Sequence, residues 1–383
     1  MNNIKNLTND ALFVRSAFRE YYFNYSEIVE MPSRIKEREF GCMKFQTGMI
    51  RHLSFNNIKE VYATLIRDTP SDFYCSNAYY NFPSLAMQDK EWKGADLIFD
   101  IDAKDLVLPC ESSHRYTICG NCGKLLETTH ERCSICKTCT VRVESIPCSN
   151  CFAGLRKEVN KLIDILTEEI GIPYDNIGVY FSGNSGFHLY IHDVCFQLLD
   201  SRARSDLAGY ILGNGIRPDL IGVRKLASDK FSIKFPRTGF RYGWSMRLAR
   251  KLRINHSSAS KLTNFIHEIG GYESFSQYIL KYAKEIGIKI DPQVTIDVHR
   301  IFRHGGTLNG KSGLSKLRCL DVNKFDPLND ACLLGEKEVE VYVKPSNLKL
   351  KLKRRTFSIG PEKEKLPTFA AVYLICKGLA TTI

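Results

Sequence analysis

Eight of the fourteen cysteines of this chain, Cys110, Cys119, Cys122, Cys133, Cys136, Cys139, Cys148 and Cys151, are crowded into one short stretch. No other feature restricts the possible folds as much, because thiols this dense must be cross-linked or must ligate metal. The pieces are Cys110-x3-His114, Cys119-x2-Cys122, Cys133-x2-Cys136-x2-Cys139 and Cys148-x2-Cys151. A disulfide framework belongs to oxidising compartments, and Met1-Asn2-Asn3 opens no signal peptide, so an intracellular, cytoplasmic chain with thiolate-bound Zn²⁺ is expected. Two CxxC pairs about ten residues apart suit one tetrahedral ion. Cys119, Cys122, Cys133 and Cys136 are assigned to one zinc site, and Cys110, His114, Cys148 and Cys151 to a second that closes the base of the insertion. Cys139 and His130 are left over, and spacing alone does not choose between Cys133 and Cys139.

Just before this ladder lies Leu97-Ile98-Phe99-Asp100-Ile101-Asp102. In a strand, side chains alternate, so Ile98, Asp100 and Asp102 share one face while Leu97, Phe99 and Ile101 share the other. Two carboxylates on one strand face are costly without a compensating cation. Carboxylate oxygens suit Mg²⁺ or Mn²⁺, and a pair of such ions roughly 3.5–4 Å apart is the clamp used in nucleotidyl transfer. Taken alone, the same residues also fit a strand end with exposed acids. Net charge of +12 favours a polyanionic partner such as nucleic acid or nucleotides. Hydrophobic residues at 44% and charged ones at 25% are ordinary for a globular protein, and no apolar run is long enough to span a bilayer.

Elsewhere the chain reads as alternating elements. Phe18 to Phe23 reads as helix, Arg38-Glu39-Phe40 and Ile50 to Phe55 as paired strands with Arg51 among the sheet side chains, and Lys59 to Arg67 as helix. Phe73 to Phe82 reads as a Tyr-rich connection. Leu155, Val159, Leu162, Ile163, Leu166 and Ile170 recur at helical spacing, with Gly171 as the stop. Ile177 to Ser182 and Phe187 to Ile191 are strands around a glycine-bounded turn, whose N–H groups, with Ser182 and His188 at its ends, suit a phosphate; a plain hairpin with a packed histidine fits as well. Asp200 to Leu212 and Ser257 to Ile286 read as helices. Asp291 then precedes a pattern in which Val294, Val298, Ile301 and Phe302 line one helical face. Arg300, Arg303 and His304 follow beside the glycine-rich run Gly305 to Gly313, which fits a metal plus a triphosphate.

In this order the stretches resemble the small catalytic subunit of archaeal and eukaryotic DNA primase. The resemblance rests on Arg38-Glu39-Phe40, His52-Leu53-Ser54-Phe55-Asn56-Asn57, Phe99-Asp100-Ile101-Asp102, Ser182-Gly183-x2-Gly186-x-His188, Asp291, Thr307-Leu308-x-Gly310-Lys311-x-Gly313 and the cysteine ladder. It implies an α/β (α+β) primase catalytic core with a zinc-binding insertion and a small helical subdomain. The expected organisation is catalytic core at 1–109, zinc insertion at 110–151, core again at 152–195, helical subdomain at 196–286 and the last part of the core at 287–383. The resemblance also implies Asp100, Asp102 and Asp291 as Mg²⁺ or Mn²⁺ ligands. Ser182, Gly183, Gly186, His188, Arg303, Asn309 and Lys311 would meet the nucleotide. Implied partners are a primase large subunit, forming a heterodimer, a single-stranded DNA template and nucleoside triphosphates, at replication forks and away from membranes.

Two departures from the family pattern stand out, Ser185 where a basic residue is frequent and Asn309 where histidine is common. Asparagine donates a hydrogen bond but carries no charge, leaving Arg300 or Lys311 to supply the missing contact. An end-joining repair polymerase would share the acidic and glycine motifs, whereas a non-enzymatic zinc-ribbon protein would share only the cysteines and the charge. Metal-dependent nucleotide incorporation separates the last from the others.

Overall fold

The computed structural model describes residues 7–383 except 47, 130–131, 139, 227–229, 238, 256 and 346–347. His130 and Cys139 therefore lie outside the described residues. The fold is a mixed α/β architecture built around two four-stranded antiparallel sheets. One sheet runs Ile301–Arg303, Asp72–Ser76, Phe40–Lys44, Gly48–Leu53 in spatial order; the other runs Leu317–Arg318, Ile177–Phe181, Gly186–Ile191, Leu97–Asp102.

The acidic strand alternates as its sequence demands. Leu97, Phe99 and Ile101 are fully buried in the main core, where the helix Ser149–Asp164 lays Phe152, Leu155, Val159 and Leu162 against the same sheet. Burial of this size stabilises by roughly 1.5–3 kcal/mol per large apolar side chain, which fixes the register and leaves the acids on the opposite face. Below that helix the backbone widens into a π-helical turn at Ile165–Glu169, and Gly171, at φ +84°, ends it as expected.

Two segments depart from the sequence reading. The Tyr-rich stretch expected to be a connection instead supplies the strands Asp72–Ser76 and Ala78–Tyr80, the latter paired with Trp92–Ala95. The helical pattern after Asp291 stops at Ile296, because Asp297 leaves helical backbone and its carboxylate accepts the His299 N–H at 2.9 Å. Ile301–Arg303 then joins a sheet by pairing with Asp72–Ser76. Val294 and Phe302 do share a buried cluster with Ile98, so the spacing found the right neighbours in the wrong conformation.

Two further regions flank the sheets. The cysteine ladder carries a three-stranded sheet of Leu125–Leu126, Arg115–Cys119 and Val141–Ser145. Residues from Ile216 to Ala283 form a separate core in which Trp244, Leu248, Ile266, Phe275 and Ile279 meet, while Ser201–Leu212 buries Ala208 and Ile211 in the main core. At the C-terminal end, the helix Thr368–Cys376 is almost wholly buried. Among the described residues, no helix is long and apolar enough to cross a membrane.

Candidate active site

The register of the hairpin decides which groups meet. Gly186 pairs with Asp102, His188 with Asp100 and Tyr190 with Ile98, so each pair shares a sheet face. A Cβ at Gly186 would lie 2.7 Å from the Ile101 carbonyl, so only glycine permits this approach. His188 Nε2 stands 3.5 Å from Asp100 Oδ1. The third acid is tied in by backbone, the Asp291 N–H donating to the Asp100 carbonyl at 3.0 Å.

These acids sit uneasily together. Burial first, then the charges of Asp102 and Asp291, push the Asp100 carboxyl up to about 7. His188 is held well below its usual value by burial and by Lys316, Arg303 and Arg300, so it is neutral, and its buried Nδ1 has no partner among the described residues. Repelling carboxylates beside an orphaned ring nitrogen suit a bound cation and its ligand. Asp102 is better satisfied, since Ser185 Oγ donates to its Oδ1 at 2.9 Å.

The glycine turn is closed by Ser182, whose backbone N–H donates to the Gly186 carbonyl at 2.9 Å and whose Oγ accepts the Gly186 N–H at 3.2 Å. Gly183, at φ +87°, needs its left-handed conformation and would bring a Cβ to 3.1 Å from Asn309. Ser312 Oγ donates to the Gly183 carbonyl, so the late glycine-rich loop packs directly on this turn. Asn309 is buried, and its Oδ1 accepts the Lys311 N–H at 2.8 Å. Lys311 itself is exposed. Arg303 is committed to Asp72 at 2.6 Å and to the Leu308 carbonyl at 2.8 Å, while the Gly310 N–H donates to the same Asp72 carboxylate at 3.0 Å. The structure thus brings the acids, His188, the glycine turn and the late loop together, with Arg303 bracing the loop. Arg51 pairs with the fully buried Glu39 at 2.8 Å.

Asp72, Ser185 as a donor to Asp102, and the buried Lys316 were not found as site residues from sequence. Lys316 Nζ donates to Tyr190 Oη at 2.7 Å and to the Arg303 carbonyl at 2.8 Å, and burial pulls its pKa down to about 7. Asp72 and Lys316 have no motif around them, whereas Ser185 lies inside the glycine turn and stood out there only as a departure from the family pattern.

Cys110, His114, Cys148 and Cys151 bring their ligand atoms within 4.8 Å of one another, and so do Cys119, Cys122, Cys133 and Cys136. Cys151 Sγ lies 3.6 Å from Cys110 Sγ, 3.9 Å from Cys148 Sγ and 3.3 Å from His114 Nε2. In the other group, Cys119 and Cys136 are 3.4 Å apart, and Cys122 and Cys133 3.5 Å. Tetrahedral zinc with Zn–S of about 2.3 Å requires sulfurs somewhat under 4 Å apart, so both groups fit. The N–H groups of Cys122 and Asn121 pull the Cys119 thiol down to about 6, towards the thiolate a metal needs.

A family model described as DNA primase small subunit matches residues 142–319. The chain is 45% identical to the DNA primase small subunit PriS of Nitrosopumilus maritimus, over 97% of this chain and 98% of that protein. It is 42% identical to the protein of the same name from Cenarchaeum symbiosum and 32% identical to that of Archaeoglobus fulgidus, each over 97% of this chain and 98% of the relative. The polymerase domain of Mycobacterium tuberculosis Ligase D, solved in complex with DNA, aligns at 14% identity over 53% of this chain and 65% of that one, with a TM-score of 0.29, too distant to bear on the argument. Near-full-length identity at this level, with every motif in order, establishes that the chain belongs to the DNA primase small-subunit family.

Proposed function

We propose that this chain is the catalytic subunit of a DNA primase, which builds short primers on a single-stranded DNA template from nucleoside triphosphates during replication. One observation carries the reading: Asp100, Asp102 and Asp291 converge beside neutral His188 and a glycine turn, in a family whose members are named as primases. The three acids would hold Mg²⁺ or Mn²⁺. When bound, such ions supply a lowered pKa for the attacking hydroxyl and neutralise charge on the pyrophosphate leaving group.

The protein's own part is largely positioning, since starting a chain requires two nucleotides to be held together on a template. The Ser182–Gly186 turn presents donors to a triphosphate. His188, neutral at working pH, adds a ring N–H rather than a charge. Lys311, exposed on the late loop, is free to reach the outer phosphates, whereas Arg303 acts by fixing that loop through Asp72. Basic surface serves the template backbone, with little sequence preference.

Residues 110–151 are read as an insertion held by two structural Zn²⁺ ions, and 196–286 as a helical subdomain set in the catalytic core of 1–109, 152–195 and 287–383. A primase large subunit is the expected partner, in a soluble complex at the replication fork. The test is synthesis on single-stranded DNA without primer, with ribonucleotides and deoxyribonucleotides compared. Products starting from free nucleotides support the reading; extension of existing ends only would reassign the chain to end-joining synthesis.

A further inference from the structure

Lys377 follows the C-terminal helix and is 2% exposed, yet it carries its amino group into the protein. A buried lysine is retained only where its charge has partners. Its Nζ donates to Asn184 Oδ1 at 2.8 Å and lies 3.9 Å from Glu144 Oε2. The first partner belongs to the glycine turn; the second belongs to Val141–Ser145, the strand that pairs with Arg115–Cys119 of the cysteine-ladder sheet.

The chain of contacts continues from there. Asn184 Nδ2 donates to Ser185 Oγ at 3.4 Å, and Ser185 Oγ donates to Asp102 Oδ1 at 2.9 Å. Every donor points the same way, from the lysine towards the acid, so each group leaves the next with its oxygen lone pairs facing back and its proton facing forward. A second tie runs beside it. Lys344 Nζ donates to the Gly378 carbonyl at 2.9 Å and to that of Gly123, next to Cys122, at 3.2 Å, while Arg142 reaches the Lys377 carbonyl at 3.5 Å. Burial lowers the Lys377 pKa, Glu144 and Asp102 favour its charge and Lys311 opposes it, which places the ammonium within electrostatic reach of both acid and late loop.

We propose that Lys377 is a positioning residue that fixes the Asn184–Ser185 turn and, through Ser185, the Asp102 carboxylate, and so docks the cysteine-ladder sheet onto the metal-binding acids. The proposal rests on the assignment of Asp102 as a divalent-cation ligand. Outer-shell partners of this kind typically change metal affinity by about 10–100-fold when removed.

The test is Mn²⁺ binding, followed by electron paramagnetic resonance of the free ion without nucleotide or template, in the zinc-loaded full chain. Lys377→Met and Ser185→Ala should each weaken Mn²⁺ binding by roughly tenfold, and the double variant should be no worse than the weaker single, since both act through one path. Turnover at saturating metal and nucleotide should fall far less than the affinity does. Wild-type Mn²⁺ affinity in Ser185→Ala, or losses that multiply in the double variant, would overturn the proposal. Should Lys377→Met fail to fold, Glu144→Gln and Ser185→Ala carry the same comparison. An Asp102→Asn chain that binds Mn²⁺ like wild type would instead overturn the ligand assignment beneath it.

Discussion

The two sets of residues proposed to hold metal in this molecule are built in opposite ways. In the cysteine ladder, four ligand atoms per group are already within 4.8 Å of one another. Among the acids, Asp291 is tied to Asp100 through a backbone hydrogen bond, Asp102 is turned to Ser185, and Asp100 is left under electrostatic strain with its carboxyl at about 7. A site whose only task is to hold a fold can close around its ion. A site that must admit nucleotide and release pyrophosphate has to keep coordination positions open, and its acids therefore repel until a cation and substrate arrive.

That contrast is broken most directly by removing acids. Asp100→Ala or Asp102→Ala should lower synthesis by about a thousandfold or more while template affinity stays near wild type, since each removes a group that stabilises the transition state. Near-normal turnover in either variant would remove the distinction. His188→Ala should raise the nucleotide KM by roughly ten- to a hundredfold, the loss of one hydrogen bond worth about 1–3 kcal/mol, and steady-state kinetics with varied nucleotide measures it.

Protonation of the acids has a smaller expected effect. Because Asp100 is raised, the folded chain favours its protonated form up to about pH 7, and the metal must displace that proton. Mn²⁺ affinity should climb roughly tenfold between pH 6 and 8 and then level off. The same sign means that the metal-free chain loses this group's contribution to stability as pH rises from the ordinary carboxylate range through about 7, so Asp100→Asn should melt higher than wild type at pH 8 and no higher at pH 4. The least effect on turnover is expected from the closed sites. Cys133→Ser should cost one of two zinc ions per chain, read by elemental analysis, and lower the melting temperature, with kcat falling only a few-fold.

Much of this was written plainly in the residues. Strict alternation from Leu97 to Asp102 placed both acids on one face because the other face is apolar at every step, and the CxxC spacing grouped the thiols because a short loop presents two sulfurs to one ion, although it left Cys133 and Cys139 as alternatives. Elsewhere local signals misled. Tyr, Ser and Asn between Phe73 and Phe82 look like loop, yet Tyr79 and Tyr80 are buried strand residues whose hydroxyls reach Asp96 at 2.7 Å and His299 at 3.0 Å. Apolar residues from Val294 to Phe302 mimic a helical face, but an aspartate turn and the open edge of Asp72–Ser76 convert the last of them to strand. Lys377 was illegible for a different reason, since its partner Asn184 is 193 residues away and only the tertiary fold joins them.

On the proposed function, the open acids, and not the closed thiolate groups, hold the ions of catalysis. The direct measurement is Mn²⁺ binding to the zinc-loaded Asp100→Asn/Asp102→Asn double variant, with zinc content determined on the same sample. Two zinc ions retained per chain, with Mn²⁺ binding and primer synthesis both lost, is the predicted result. Mn²⁺ binding and synthesis that persist in this variant, or vanish only when zinc is stripped, would contradict it.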